Sequence, residues 1–107
     1  MVLRLWRGWT TPANADAYRS IVSDEVLPGI AERDVDGYRG AYLLRRELED
    51  EVEFATIMVF DSIDAVWAFA GDDYETAYVP PRARGVLSRF DERSAHFDVL
   101  LTPEQTR

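Results

Sequence analysis

The chain has no cysteine, no lysine and a single histidine, His96. Without cysteine there is no thiol nucleophile, disulfide, zinc ribbon or iron–sulfur cluster. Without lysine there is no Schiff base, no lysine-linked pyridoxal phosphate and no P-loop. One histidine excludes a multi-histidine metal site within one chain, and Asp72-Asp73 offers no ligand spacing beyond that of a helix cap. No GxGxxG follows any expected strand, so the dinucleotide fingerprint is absent. The expectation is therefore a protein with no cofactor and no bound metal. An enzyme built this way must work with carboxylates, arginine, tyrosine, tryptophan, serine, one histidine, or something bound.

Positive charge is also scarce. Twelve arginines face 20 acids, a net charge of -8 at pH 7, and the arginines do not cluster beyond pairs such as Arg45-Arg46. A nucleic-acid partner, whose phosphates need a basic face, is not expected. No apolar run approaches the ~20 residues that span a bilayer. The start, "MVLRLWRGW", is too short and too charged for a signal peptide and reads as a strand. The expected location is cytoplasmic.

What is present fits one folded domain over 1–107, ending in a polar tail over 102–107. Hydrophobic residues make up 47% of the chain and charged residues 30%, ordinary for a globular domain. "VLRLWRGW" (2–9) is apolar on both parities, with Leu3, Leu5 and Trp9 on one face and Val2 and Trp6 on the other. Thr11 and Pro12 then start a helix carrying Tyr18, Ile21, Val22 and Val26, which Pro28-Gly29 should stop, with at most a loose extension through Ala31. "DGYRGAYLLRREL" (36–48) reads as a strand with Tyr38, Tyr42 and Leu44 on one face. A polar turn at 49–51 leads into "VEFATIMVF" (52–60), again greasy on both faces. Ser62 caps a second helix whose stripe is Ile63, Val66, Trp67 and Ala70, ended by Gly71. Pro80-Pro81 opens a short helical piece, and 88–101 returns as one long or two short strands.

The order is β-α-β-β-α-β, an α+β, ferredoxin-like arrangement with an antiparallel sheet. Two helices cover one face of such a sheet and leave the other bare. Strands apolar on both faces need a second cover, and the simplest is the same sheet of a second copy. A homodimer through the sheet face is expected.

"VLRLWRGWT", "YRGAYLLRR" and above all "FDSIDAVWAFAGDD" resemble the antibiotic biosynthesis monooxygenase-like family over essentially residues 2–100. The resemblance implies a dimeric α+β barrel. The superfamily's activities range over cofactor-free monooxygenases, haem-degrading enzymes, isomerases and small proteins without known activity. In the quinone-forming members a tryptophan ends the strand before the helix cap; Phe60 stands there, which makes it a candidate substrate contact. Haem-degrading members carry a tryptophan late in the second helix and a histidine about ten residues on. Here those positions are Phe69 and Val79, and the asparagine of the first strand is missing.

Candidate site residues follow from chemistry. His96 is the one side chain whose unperturbed pKa suits a general base near neutrality, with Asp98 two residues on along its strand face. Trp67 offers an aromatic wall against which a planar, small aromatic ligand could stack. Tyr74 and Tyr78, four apart, share a face if that segment is helical, and their phenols could donate to a substrate carbonyl or enolate. Of Arg4, Arg7 and Arg39, one facing a cavity would stabilise an oxyanion, and Arg7 is the candidate taken. The functional expectation is a cofactor-independent monooxygenase acting on a small aromatic, polyketide-type substrate. The alternatives are a non-catalytic ligand-binding or structural barrel, or an isomerase or cyclase on the same fold.

Overall fold

The computed structural model describes residues 1–107. Strand β1 (Val2–Thr10) leads into a helical stretch, then β2 (Tyr38–Glu47) and β3 (Val52–Phe60) form a hairpin. Helix α3 (Ile63–Ala70) follows, then α4 (Pro81–Val86) and two short strands, β4 (Arg89–Phe90) and β5 (Ala95–Asp98). The five strands form one sheet in the order β2-β3-β1-β4, with β5 also on β1. Every pairing is antiparallel. This is the ferredoxin-like α+β arrangement expected from the sequence.

The first helical stretch does not stop at Pro28-Gly29. Thr11 Oγ1 accepts from the Asn14 N–H at 3.3 Å, and Pro12 opens a 3-10 turn. Helix α1 (Ala15–Ile21) then passes through a π-helical turn (Val22–Val26) into α2 (Leu27–Glu32). A proline inside an α-helix has no N–H to give and crowds the carbonyl four residues back. The wider π turn, closed by Leu27 N–H to Val22 C=O, shifts the register just before Pro28, which enters as the first turn of α2.

Helix α3 starts where expected: the Ser62 side chain accepts from Ala65 N–H, and Gly71, at φ 84°, closes the far end onto Trp67 C=O. Its inward stripe differs from the expected one. Ala65 and Val66 are buried and Phe69 packs beside them, whereas Trp67 is turned outward and 50% exposed. Gly37 approaches this helix closely. Its φ is 85°, and a Cβ there would stand 2.6 Å from the Ala65 Cβ, so only glycine fits.

Strand β2 carries a bulge between Tyr38 and Gly40, with Gly40 at φ 119°. The extra residue flips the alternation. Tyr38 therefore lies on the helix side with Ala41 and Leu43, not with Tyr42 and Leu44. The segment 72–80 is irregular rather than helical, so Tyr74 and Tyr78 do not share a helical face. The polar tail over 102–107 closes into one helical turn (Pro103–Thr106) with a Thr102/Gln105 capping box. No helix is long and apolar enough to cross a membrane.

The two faces of the sheet differ. On the helix side the core forms two clusters: Tyr18, Val22, Val52, Phe54 and their neighbours under α1, and Val2, Met58, Phe60, Ala65 and Val66 under α3. On the other side, one end is closed by charged side chains. Trp9 is buried there because the Arg89 and Arg7 guanidinium groups lie 4.0 and 5.4 Å from its ring centre, while its indole N–H donates to Glu53. The rest of that face is apolar and bare. Leu3, Leu5, Ile57 and Val59 run across it, flanked by Phe97, Tyr42 and Leu44, which are 53%, 61% and 46% exposed.

Candidate functional site

A cleft of about 490 Å³ opens on the helix side of the sheet, in the gap between the two core clusters. It has a simple origin in the sequence. Residues of even number on β1 and β3 face the helices, and in mid-sheet this row reads Arg4, Trp6, Thr56 and Met58 rather than continuing with large aliphatic groups. Helix α1 packs over one end and α3 over the other, and neither fills the middle. Tyr18, Val22, Val26 and Ile30 form the helical wall. Phe69, Val79 and Ala83 also line it, and Tyr78, 81% exposed, stands at the mouth. A mostly apolar cleft of this size with a few polar groups is the usual form of a small-molecule site.

The polar groups are few and unusual. Arg4 is 6% exposed. Its Nη1 donates to Tyr74 C=O and to His96 Nε2, the latter at 2.9 Å, and its guanidinium carbon lies 5.7 Å from the Phe69 ring centre. Arg33 stacks on the same ring at 4.7 Å and donates to Phe69 C=O at 2.8 Å. None of the eight ion pairs in the molecule uses Arg4 or Arg33. Although the chain has 20 acids, no Asp or Glu lines the cleft. Burial lowers the Arg4 pKa from its ordinary value, yet a guanidinium stays charged at any physiological pH. Tyr18 also lines the cleft, and burial pushes its phenol well above the ordinary range, so it is a neutral hydroxyl.

The expected site residues scatter. His96 lies beside the cleft, outside its lining. Arginine only donates, so the Arg4 contact fixes Nε2 as the acceptor and the neutral ring carries its proton on Nδ1. Burial first, then the Arg4 charge, lower the His96 pKa, with Glu75 opposing. The ring is thus neutral near pH 7, but its basic lone pair is occupied by Arg4, and it serves to hold that side chain. Tyr74 packs edge-on against His96, ring centres 5.1 Å apart, and lends Arg4 its carbonyl rather than its phenol.

Trp67 does not line the cleft. It lies one step round α3 from Val66, half exposed, with its ring 6.1 Å from Tyr74. Phe60 is fully buried beneath α3, between Tyr38 and Phe69, and is core rather than wall. Arg7 points to the opposite side of the sheet, exposed and paired with Asp91 at 3.1 Å. Tyr78 lines the cleft, as does Arg4, the arginine named but not chosen. Arg39 is paired with Asp61 at 2.6 Å on the surface.

The groups that sequence reasoning passed over are Arg4 as the chosen arginine, Arg33, Tyr18 and Thr56. A signal for Arg4 was present. It shares parity with Val2 and Trp6, while Arg7 shares parity with Leu3 and Leu5. Which parity faced the helices was not written in β1 itself.

No cluster of three or more His, Asp or Glu could hold a metal ion. A haem iron would need an axial donor in the cleft. The one imidazole is committed to Arg4 outside the lining, and Phe69 and Val79 supply no donor, so a histidine-ligated haem does not fit. Met58, Tyr18 and Tyr78 are the side chains of the lining with a donor atom for iron.

No family model matches the chain, and no curated protein matches it by sequence. Solved structures do. A candidate antibiotic biosynthesis monooxygenase from Bacillus cereus superposes with a TM-score of 0.63 at 14% identity, covering 94% of each chain. Rv0793 from Mycobacterium tuberculosis gives 0.56 at 17% identity over 95% of this chain and 97% of that one. The haem degrader MhuD from Mycobacterium tuberculosis, solved with two haems in its active site, gives 0.58 at 20% identity over 95% and 98%. Over 94–95% of its length, then, this chain has the fold of the antibiotic biosynthesis monooxygenase-like proteins.

Proposed function

We propose that the cleft between the helices and the sheet binds a small, planar, largely apolar molecule, and that the protein oxidises it with dioxygen without a cofactor. The observation that carries this reading is the cleft itself: an apolar slot of about 490 Å³ with Arg4 buried in its wall and no acid around it. An anthrone-type substrate suits such a site. Loss of a proton from its methylene carbon gives an electron-rich anion, and a fixed cation nearby favours that anion. The anion passes an electron to O2, and the two radicals combine to a peroxide that loses water. The balance is anthrone plus O2 to anthraquinone plus H2O. His96, with Nε2 held by Arg4, is not the base in this scheme. The substrate's own acidity, raised by the Arg4 charge, supplies the anion. A second reading, binding without turnover, is favoured by one observation: no side chain with a free basic group near neutrality lines the cleft.

The test is oxygen uptake in a sealed electrode with anthrone and purified protein, compared with Val26→Trp. Val26 is a half-buried wall residue, and an indole there obstructs the slot while leaving the fully buried core alone. Protein-dependent oxygen uptake that disappears in Val26→Trp is the expected result. Uptake equal to the buffer blank leaves binding without turnover. Uptake unaffected by Val26→Trp places any chemistry elsewhere.

We also propose that a second copy covers the bare sheet face. An open apolar surface spanning four strands exceeds what monomers usually leave in water, and a copy of itself offers a matching apolar surface.

A further inference from the structure

We propose that the cleft selects anions: its ligand carries an oxyanion, such as a carboxylate, that pairs side-on with the Nε and Nη2 edge of Arg4. This rests on the reading of the cleft as a small-molecule site and adds the charge of the ligand. Arg4 spends Nη1 on Tyr74 C=O and His96 Nε2. Its Nε and Nη2 have no acceptor in the protein. Thr10 Oγ1 is the one fully enclosed side-chain polar atom without a partner, so these Arg4 donors are not sealed into the core. They are the two parallel N–H directions that match a carboxylate.

Burying a guanidinium without an anion is costly. This chain has 20 acids and puts none of them in the cleft, while its exposed arginines take carboxylate partners across the surface. His96 and Tyr74 hold one end of the Arg4 fork and leave the other presented. Two hydroxyls in the same lining, of Tyr18 and Thr56, likewise have no protein partner and are not enclosed. Both can donate to an oxyanion. Arg33 adds a second positive charge against the same Phe69 ring. The remaining walls are apolar. The pattern is a cationic point inside an apolar slot, which suits an aromatic body with one anionic group.

The experiment is a calorimetric titration at neutral pH with 2-naphthoate and with 2-naphthamide, which has the same shape and no charge. Wild type is expected to bind naphthoate about 10–100-fold more tightly, the usual worth of a hydrogen-bonded charge pair. Arg4→Met should abolish that preference by weakening naphthoate far more than naphthamide, while Arg4→Lys should restore only part of it. Should Arg4→Met fail to fold, Thr56→Val and Tyr18→Phe remove only hydroxyls and should each weaken naphthoate more than naphthamide. Equal binding of the two ligands to wild type overturns the inference and leaves the cleft reading standing. A naphthoate preference that survives Arg4→Met, or survives both hydroxyl variants unchanged, also overturns it. Failure of both ligands to bind overturns the cleft reading with it.

Discussion

Ile57→Glu is expected to turn a dimer into a folded monomer. Ile57 sits in the middle of the bare face, paired with Leu5 on one side and Tyr42 on the other. A carboxylate there would be taken out of water in the proposed interface, at a cost of several kcal/mol. The subunit itself should survive, because Ile57 faces away from both core clusters. Wild type at micromolar concentration should scatter light as twice the 12.3 kDa chain, and the variant as one chain. A wild-type monomer would contradict the proposed assembly. So would a variant that remains dimeric, since the interface would then lie elsewhere.

Phe60→Ala is expected to have the largest effect on folding, without acting through the site. Its ring is fully buried, 5.6 Å from the centres of both Tyr38 and Phe69. Emptying such a position costs about 3–5 kcal/mol, through lost transfer energy and the cavity left behind. That is a large share of the roughly 5–15 kcal/mol that holds a domain together. The Trp67→Ala cost should be clearly smaller, because half of that ring is already in water. Urea unfolding monitored by circular dichroism gives both numbers. An order reversed, with Trp67→Ala the more damaging, would mean that α3 is rotated relative to the sheet.

The two substitutions also show what the sequence revealed and what it hid. Both-sided apolarity of β1 and β3, the Ser62 cap and the Gly71 stop are local signals, and the fold order followed from them. The rotation of Trp67 out of the stripe was not local. Ile63, Val66, Trp67 and Ala70 and the alternative with Ala65, Val66 and Phe69 differ by about one residue step, roughly 100°, around one helix. Which one faces the sheet is decided by close contacts such as Gly37 against Ala65. In the same way, the bulge at Gly40 reversed the face of Tyr38, and the π turn carried the first helix past Pro28.

The site was less legible than the fold. Scarcity singled out His96, the one residue titrating near pH 7. It could not tell that Arg4, across the β1–β5 pair, would occupy its lone pair. Arg7 and Arg4 were equivalent as residue types, and only the identity of the helix-facing parity separates them. The cleft exists because two short helices cover the ends of a sheet and not its middle. That is a property of packing, which no single segment of the chain carries.

The claim on which everything else rests is that small aromatic molecules enter this cleft. The chain has two methionines, which makes the direct test simple. Met58 lines the cleft, and Met1 is 57% exposed at the chain start, outside its lining. With methyl-13C methionine, the spectrum holds two signals, and an aromatic ring stacked near Met58 shifts its methyl through the ring current. Titration with 2-naphthoate should move the Met58 signal in a saturable manner and leave Met1 in place. A Met58 signal that stays fixed at millimolar ligand, or a shift confined to Met1, would contradict the account.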